Sequence, residues 1–365
     1  MDTRRIMNTG LAGIKTYEGG KHKEEAKEKY AVREPVKMSS NENAIGVSPK
    51  ALDLAKRVLP ESNIYPDGSN RNVREILAAR LNVDPGQVIV GNGGDEIIYY
   101  IAMSILNDDD EVVIPEITFP IYEIACRLMR ARIVYSPMNG LFIDTDAILE
   151  KITERTKLVT LCNPNNPTGH ALGSKEVFKL IDSIPENILL LIDEAYMDFA
   201  DPETFPDSLS RFRDGKRTLF IVRTLSKAYG LAGFRVGYGI GDEAIVELMN
   251  RIKLPFNISV VSQHAAVAAL GDTEFLRETI RSANKGKNDI CRFLKANGLD
   301  YIESSTNFIL IDTGRESDLV TEELMKRGVI VRSAKAYGLP TSIRVTVGSE
   351  NDNRRFIAAM KEVLR

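Results

Sequence analysis

The chain has 365 residues, 43% hydrophobic and 27% charged, as in an ordinary soluble globular protein, and that length suits one large domain plus a smaller one. With 48 Lys and Arg against 51 Asp and Glu, the net charge is −3 and no long run of one sign occurs, which excludes a general electrostatic partnership with nucleic acid or a membrane surface. Three widely spaced cysteines and three scattered histidines exclude a disulfide framework and a metal site of recognisable ligand spacing.

The N-terminus, Met1-Asp-Thr-Arg-Arg-Ile-Met, lacks the apolar stretch of a secretory signal. No window approaches the roughly 18 apolar residues of a membrane span, so a cytoplasmic location is expected. Lys21-His-Lys-Glu-Glu-Ala-Lys-Glu-Lys reads as a solvated arm or the start of an exposed helix. From about residue 50, short β-branched runs alternate with helical patterns. The runs are Gln87-Val-Ile-Val-Gly, Glu111-Val-Val-Ile-Pro, Arg132-Ile-Val-Tyr, Lys157-Leu-Val-Thr-Leu, Ile188-Leu-Leu-Leu-Ile-Asp, Thr218-Leu-Phe-Ile-Val and Arg235-Val-Gly-Tyr-Gly-Ile. Several are apolar on both faces, as strands buried between two helix layers must be. Helical segments from Asp95 to Leu106 and from Ser174 to Ile184 fall between them. This rhythm predicts an α/β fold with a mostly parallel wound sheet.

Pro255-Phe-Asn marks a change, after which residues 258–297 read as largely helical. Then come Asn307-Phe-Ile-Leu-Ile-Asp, a helix near 317–327, Val329-Ile-Val-Arg, Ile343-Arg-Val-Thr-Val and a terminal helix from Asp352. The expected division is an N-terminal arm (1–45) that joins the small domain, a large domain (46–257), and a small α+β domain (258–365).

Ligands of wound sheets gather at the carboxyl ends of strands, and four polar clusters follow strands here. Gly91-Asn-Gly-Gly-Asp-Glu96 opens a helix. Its glycines let N–H groups approach an anion and the helix N-terminus adds a positive dipole, although a plain turn capped by Asp95 has the same pattern. Asn163-Pro-Asn-Asn-Pro-Thr-Gly169 forces a rigid polar turn. Asp193-Glu-Ala-Tyr196 ends an apolar strand, where a carboxylate is costly unless something cationic meets it; Asp193 reads either as a helix cap or as the partner of a protonated ring nitrogen. In Arg223-Thr-Leu-Ser-Lys-Ala-Tyr-Gly-Leu-Ala-Gly-Phe-Arg235, Thr224, Ser226 and Arg235 suit a phosphate dianion. Lys227 lies among them, and burial near other cations would lower its pKa and leave a nucleophilic amine. Together the clusters fit pyridoxal 5'-phosphate, which needs a lysine for a Schiff base, an acid opposite the pyridine nitrogen, a phosphate cup and an aromatic face. Phe119, in Pro115-Glu-Ile-Thr-Phe-Pro-Ile-Tyr122, is the candidate for that face.

Eight motifs stand in order along the chain: Ser39-Ser-Asn-Glu-Asn43, Tyr65-Pro-Asp67, residues 91–96, Asn163 to Gly169, Asp193 to Tyr196, Arg223 to Gly237, Ser304-Ser-Thr-Asn-Phe308 and Arg344-Val-Thr-Val-Gly348. In that order, and over essentially the whole chain, they resemble the fold-type-I pyridoxal-phosphate aminotransferases, and within them the histidinol-phosphate aminotransferase family. The resemblance implies that Lys227 forms the Schiff base and shuttles a proton, that Asp193 holds the ring nitrogen charged, and that Tyr196 and Asn166 bond the ring's 3'-oxygen. Phe119 stacks on the ring, and Gly94, Asp95, Thr224, Ser226 and Arg235 receive the cofactor phosphate. Tyr65 resembles the tyrosine that reaches the neighbouring subunit's cofactor, which implies a homodimer with shared sites. Arg344 matches the arginine that takes an amino acid's carboxylate, and Arg332 and Tyr17 match positions used for a substrate phosphate.

The implied reaction converts histidinol phosphate and 2-oxoglutarate to imidazole acetol phosphate and glutamate, in histidine biosynthesis. Two alternatives use the same apparatus: an aromatic amino-acid aminotransferase and a threonine-phosphate decarboxylase-like lyase. The sequence departs from the family at Ala44-Ile-Gly-Val-Ser-Pro49, at Pro120 and at Phe256, all where substrate selection can vary. The pattern begins by about residue 14, so no appended DNA-binding domain of a cofactor-sensing regulator is expected.

Overall fold

Runs with no polar face become the interior of one sheet. A computed structural model of the chain describes residues 6–14, 16 and 19–364. Its seven-stranded sheet runs, in spatial order, Val88–Gly91, Gly237–Ile240, Leu219–Thr224, Leu189–Asp193, Thr156–Cys162, Glu111–Pro115 and Arg132–Ser136. The strands Val88–Gly91, Glu111–Pro115, Leu189–Asp193 and Leu219–Thr224 are buried along their whole length. Arg132–Ser136, at one edge, keeps exposed and half-buried positions, as an edge strand facing water does. Four of the six pairings are parallel. The other two involve Gly237–Ile240, antiparallel to both neighbours. An apolar run carries no sign of its direction. The antiparallel course has a functional consequence, because it brings the start of that strand, with Arg235 just ahead of it, to the edge where the other strands end.

Apolar side chains fill both faces of this sheet. One layer gathers Leu161, Leu190, Ile192, Ile221 and Ile240, and the other Ile114, Leu158, Leu191, Phe220 and Val222. Helix Val260–Leu270 packs against helix Pro49–Val58 and shares the first layer through Ala265, Ala266 and Ala269. The helical stretch expected over 258–297 is two helices, Val260–Leu270 and Thr273–Ala296. The break falls at Gly271-Asp272, where the Asp272 side chain accepts the Phe275 N–H and caps the second helix. The terminal helix begins at Glu350, two residues ahead of the expected start, because Ser349 and Asp352 form a capping box.

A second sheet is four-stranded and antiparallel, ordered Asp300–Tyr301, Phe308–Asp312, Ser342–Thr346, Arg332–Ser333. It packs Ile309, Ile311, Ile343 and Val345 against Leu324 and Phe356 of the flanking helices. The run Val329-Ile-Val-Arg is split. Val329–Ile330 pairs in parallel with Val36–Lys37 of the N-terminal segment, whereas Arg332–Ser333 joins the four-stranded sheet and sets Arg332 across from Arg344. The charged stretch after Lys21 forms helix Lys23–Tyr30. Among the described residues no helix is long and apolar enough to cross a membrane.

Candidate active site

A pocket of ≈ 280 Å³ lies at the carboxyl ends of the parallel strands, walled on its far side by the small sheet and the N-terminal segment. It is lined by Gly94, Asp95, Phe119, Asn166, Asp193, Tyr196, Thr224, Ser226, Lys227, Arg235, Arg332 and Arg344, with Gly19, Gly20, Ser40, Asn41, Cys162, Ala195 and Val222. All the expected site residues meet there except two. Tyr65 is 80% exposed, stacks on Phe256 with centroids 4.6 Å apart, and lines a neighbouring cavity of ≈ 590 Å³ that shares Arg235 with the first. Tyr17 lies outside the described residues. Four cationic side chains against two acidic ones line the pocket, which favours anionic ligands.

One wall is built for a small anion. Helix Gly94–Ile105 starts there, and Gly93 precedes it with φ 83°, a left-handed backbone that glycine adopts without strain. A Cβ on Gly237 would lie 2.4 Å from Gly93 C and Gly94 N, so the strand passes this turn only as glycine. Ser226 Oγ is buried and has no hydrogen-bond partner among the described residues. Thr224 Oγ1 accepts the Ser226 N–H at 3.1 Å and donates to Val236 O at 3.3 Å. Arg235 has φ 56°, a strain of about 1–3 kcal/mol for a residue with a Cβ, and its Nη2 lies 3.6 Å from Asp95 Oδ2. Helix dipole, orphaned hydroxyl and guanidinium are the donor set a phosphate requires.

Asp193 ends its strand 5% exposed. Its Oδ2 accepts the Tyr122 hydroxyl at 2.6 Å and its Oδ1 the Ala195 N–H at 2.9 Å, and no cation pairs with it among the described residues. Burial pushes its carboxyl up to about 6, against the opposing pull of those two donors. The pair Glu194–Arg223, with Arg223 Nε donating to Glu194 Oε2 at 2.8 Å, ties this strand end to the next.

Lys227 is part-buried, and the surface it keeps lies on the pocket. Burial, then the Arg344 charge, bring its amine down to about 8. Its backbone is held by Asn43, whose Nδ2 donates to Ala228 O at 3.0 Å and Lys227 O at 3.4 Å. The amine lies 5.7 Å from the centroid of the Tyr196 ring. Tyr196 is buried edge-on to Phe308, and Asn41 Nδ2 donates to its Oη at 2.9 Å. Arg344, 3% exposed, donates to Asn166 Oδ1 at 2.6 Å and to Ser39 O at 3.0 Å.

Sequence reasoning missed Tyr122, Asn41 and Asn43 as site residues. Asn41 and Asn43 stood inside a quoted motif, and Tyr122 at the end of a quoted loop, but their roles depend on partners 71 to 185 residues away.

With the geometry in place, comparison with known proteins identifies the class. The family model for aminotransferase class I and II matches residues 33–360, and the chain belongs to that family. It is 39% identical over 360 residues to histidinol-phosphate aminotransferase 2 of Carboxydothermus hydrogenoformans, spanning 98% of this chain and 99% of that protein. It is 40% identical over 359 residues to the histidinol-phosphate aminotransferase of a Geobacillus species, spanning 98% of each. Among solved structures, the histidinol-phosphate aminotransferase of Sinorhizobium meliloti in complex with pyridoxal-5'-phosphate superposes with a TM-score of 0.90 at 25% identity, covering 98% of this chain and 97% of that one. The architecture is that of the fold-type-I aminotransferases.

Proposed function

We propose that the chain is a pyridoxal 5'-phosphate-dependent aminotransferase that carries the amino group of histidinol phosphate to 2-oxoglutarate, yielding imidazole acetol phosphate and glutamate. The observation that carries this reading is one pocket whose lining combines an amine of lowered pKa, a buried carboxylate that no cation meets among the described residues, an anion-binding turn and a pair of cross-strand arginines. The placement of Arg332 across from Arg344, with both side chains on the pocket lining, favours a substrate that brings a phosphate, a group guanidiniums bind through paired charge-assisted hydrogen bonds.

When bound, pyridoxal phosphate supplies an electron-poor ring that takes up the electron pair left as the substrate Cα loses its proton. The chain's residues do the rest. Ser226, Arg235 and the N–H groups of Gly94 and Asp95 bind the cofactor phosphate, while Thr224 orients the turn through the bonds its hydroxyl already makes. The Asp193 carboxylate holds the ring N–H⁺, and Tyr122 and Ala195 hold the carboxylate. Phe119, on the pocket lining, would cover one face of the ring. Tyr196 and the Nδ2 of Asn166, whose Oδ1 is occupied by Arg344, address the 3'-oxygen. Lys227 Nζ would hold the cofactor covalently and, freed when the substrate amine takes its place, would accept the Cα proton and redeliver it. Arg344 takes the carboxylate of glutamate, and Arg344, Arg332 and Tyr17 take the phosphate of histidinol phosphate.

The proposal includes a cytoplasmic homodimer. Tyr65, Ile64, Leu254 and Phe256 are exposed in the single chain, and a second copy covering them would bring Tyr65 to the neighbouring cofactor. It also includes the division into arm (1–45), large part (46–257) and small part (258–365), with helix Val260–Leu270 seated on the core of the large one. Single-turnover reactions of the cofactor-loaded protein with histidinol phosphate, phenylalanine, tyrosine and threonine phosphate test the reading. Loss of the visible band is expected to be fastest with histidinol phosphate. Equal rates with phenylalanine would point to the aromatic enzymes, and CO2 release from threonine phosphate to the lyase.

A further inference from the structure

Asn41 lies between the small sheet and Tyr196, 1% exposed, and the direction of its hydrogen bonds can be read one group at a time. A backbone N–H only donates. That of Asn41 donates to Thr346 Oγ1 at 2.9 Å, so the threonine oxygen is an acceptor and its own proton goes elsewhere. It goes to Asn41 Oδ1, at 3.1 Å. With Oδ1 engaged as an acceptor the amide is oriented, and Nδ2, a donor only, faces Tyr196 Oη at 2.9 Å. The tyrosine oxygen accepts on that side, which turns its proton away from Asn41. Reversing the amide would set two donors on Thr346 Oγ1 and strand the threonine proton in a place where Asn41, Thr346 and Tyr196 are all at least nine-tenths buried. Asn307 Nδ2 donates to Asn41 O at 3.1 Å and helps hold Asn41 at φ 55°.

We infer that Asn41 and Thr346 are positioning residues that set the polarity of the Tyr196 hydroxyl, so that it meets the ligand of this pocket as a hydrogen-bond donor. The inference rests on the reading of the pocket as a pyridoxal phosphate site, where the acceptor is the phenolic oxygen of the ring. A donor there draws negative charge from the oxygen that also holds the proton of the Lys227–cofactor linkage. Without the donor the oxygen holds that proton harder, and the linkage titrates at higher pH.

The test is a pH titration of the visible band of the cofactor-loaded protein, with no substrate present. Thr346→Val keeps the side-chain shape, frees the amide to turn, and alters a residue outside the pocket lining. Asn41→Asp puts an acceptor where Nδ2 stands and draws the tyrosine proton to itself. Both are expected to raise the midpoint by about one pH unit, the shift for losing one hydrogen bond to a charged group. Tyr196→Phe is expected to raise it similarly, and Thr346→Val added to Tyr196→Phe to raise it no further. Should Asn41→Asp fail to fold, Thr346→Val alone decides. A yellow Thr346→Val protein that titrates like the wild type overturns the inference, as does an equal shift in the Tyr196→Phe background, because the effect would then not pass through Tyr196. A wild-type protein with no visible band overturns the cofactor reading and this inference together.

Discussion

Removing the Tyr122 hydroxyl, as Tyr122→Phe, takes from Asp193 one of two hydrogen-bond donors and leaves the packing of the ring in place. The bond is short, 2.6 Å, fully buried, and made to a carboxylate whose pKa burial has already brought up to about 6. Hydrogen bonds to charged groups contribute about 1.5–3 kcal/mol, or roughly one to two pKa units. The variant's carboxyl therefore ionises near pH 7 to 8, roughly, rather than about 6. The sign follows from which form does the work: the ionised carboxylate holds the protonated ring nitrogen, and a raised pKa removes that form as pH falls. At about pH 7 the wild type is roughly nine-tenths ionised and the variant between about a tenth and a half, which weakens cofactor binding about two- to tenfold. Above about pH 9 the two should converge. Equilibrium titration with pyridoxal phosphate across this range measures it. Superposed pH profiles, or a loss of affinity equal at every pH, would refute the reasoning, the second because it would show that Tyr122 acts by shape alone.

Three further outcomes are expected. In the cofactor-free protein the Lys227 amine has a folded pKa lowered to about 8, so its contribution to stability, present above the unfolded value of 10.5, is lost as pH falls through about 8. Lys227→Met should then melt higher than the wild type below about pH 8, by on the order of 2–3 kcal/mol, and the gap should close toward high pH; melts displaced equally at all pH values would contradict it. Arg332→Ala should weaken histidinol phosphate about 10- to 100-fold while leaving the half-reaction with glutamate nearly unchanged, and an unaffected histidinol phosphate reaction would remove Arg332 from the substrate site. Gly237→Ala forces a methyl group against the Gly93–Gly94 backbone, and should cost about 1–3 kcal/mol in urea melts together with weaker cofactor binding.

The parts of the molecule legible in the sequence are those written in local pattern. Leu189–Asp193 reads as a buried strand because it has no polar side, and Asp193 reads as a site residue because it ends that strand. Direction and partnership are not local. Gly237–Ile240 is buried along its length like the strands on either side, and only its pairing shows that it runs opposite to them and brings Arg235 to the pocket. Val329-Ile-Val-Arg reads as one strand, yet Ile330 and Arg332 serve different sheets. Tyr122 has the pattern of a helix core residue, and its contact with Asp193 depends on the sheet order, which sets the strand ahead of its helix one strand away from Leu189–Asp193. The Asn41 amide is oriented by Thr346, 305 residues away, across a closure of the chain that no short window contains.

The central claim is that Lys227 is the residue that bonds the cofactor. Reduction of the cofactor-loaded protein with borohydride fixes that bond, and peptide mass spectrometry locates it. The account predicts a phosphopyridoxyl group on Lys227; a protein that acquires none, or that carries it on another lysine with Lys227 unmodified, would contradict it.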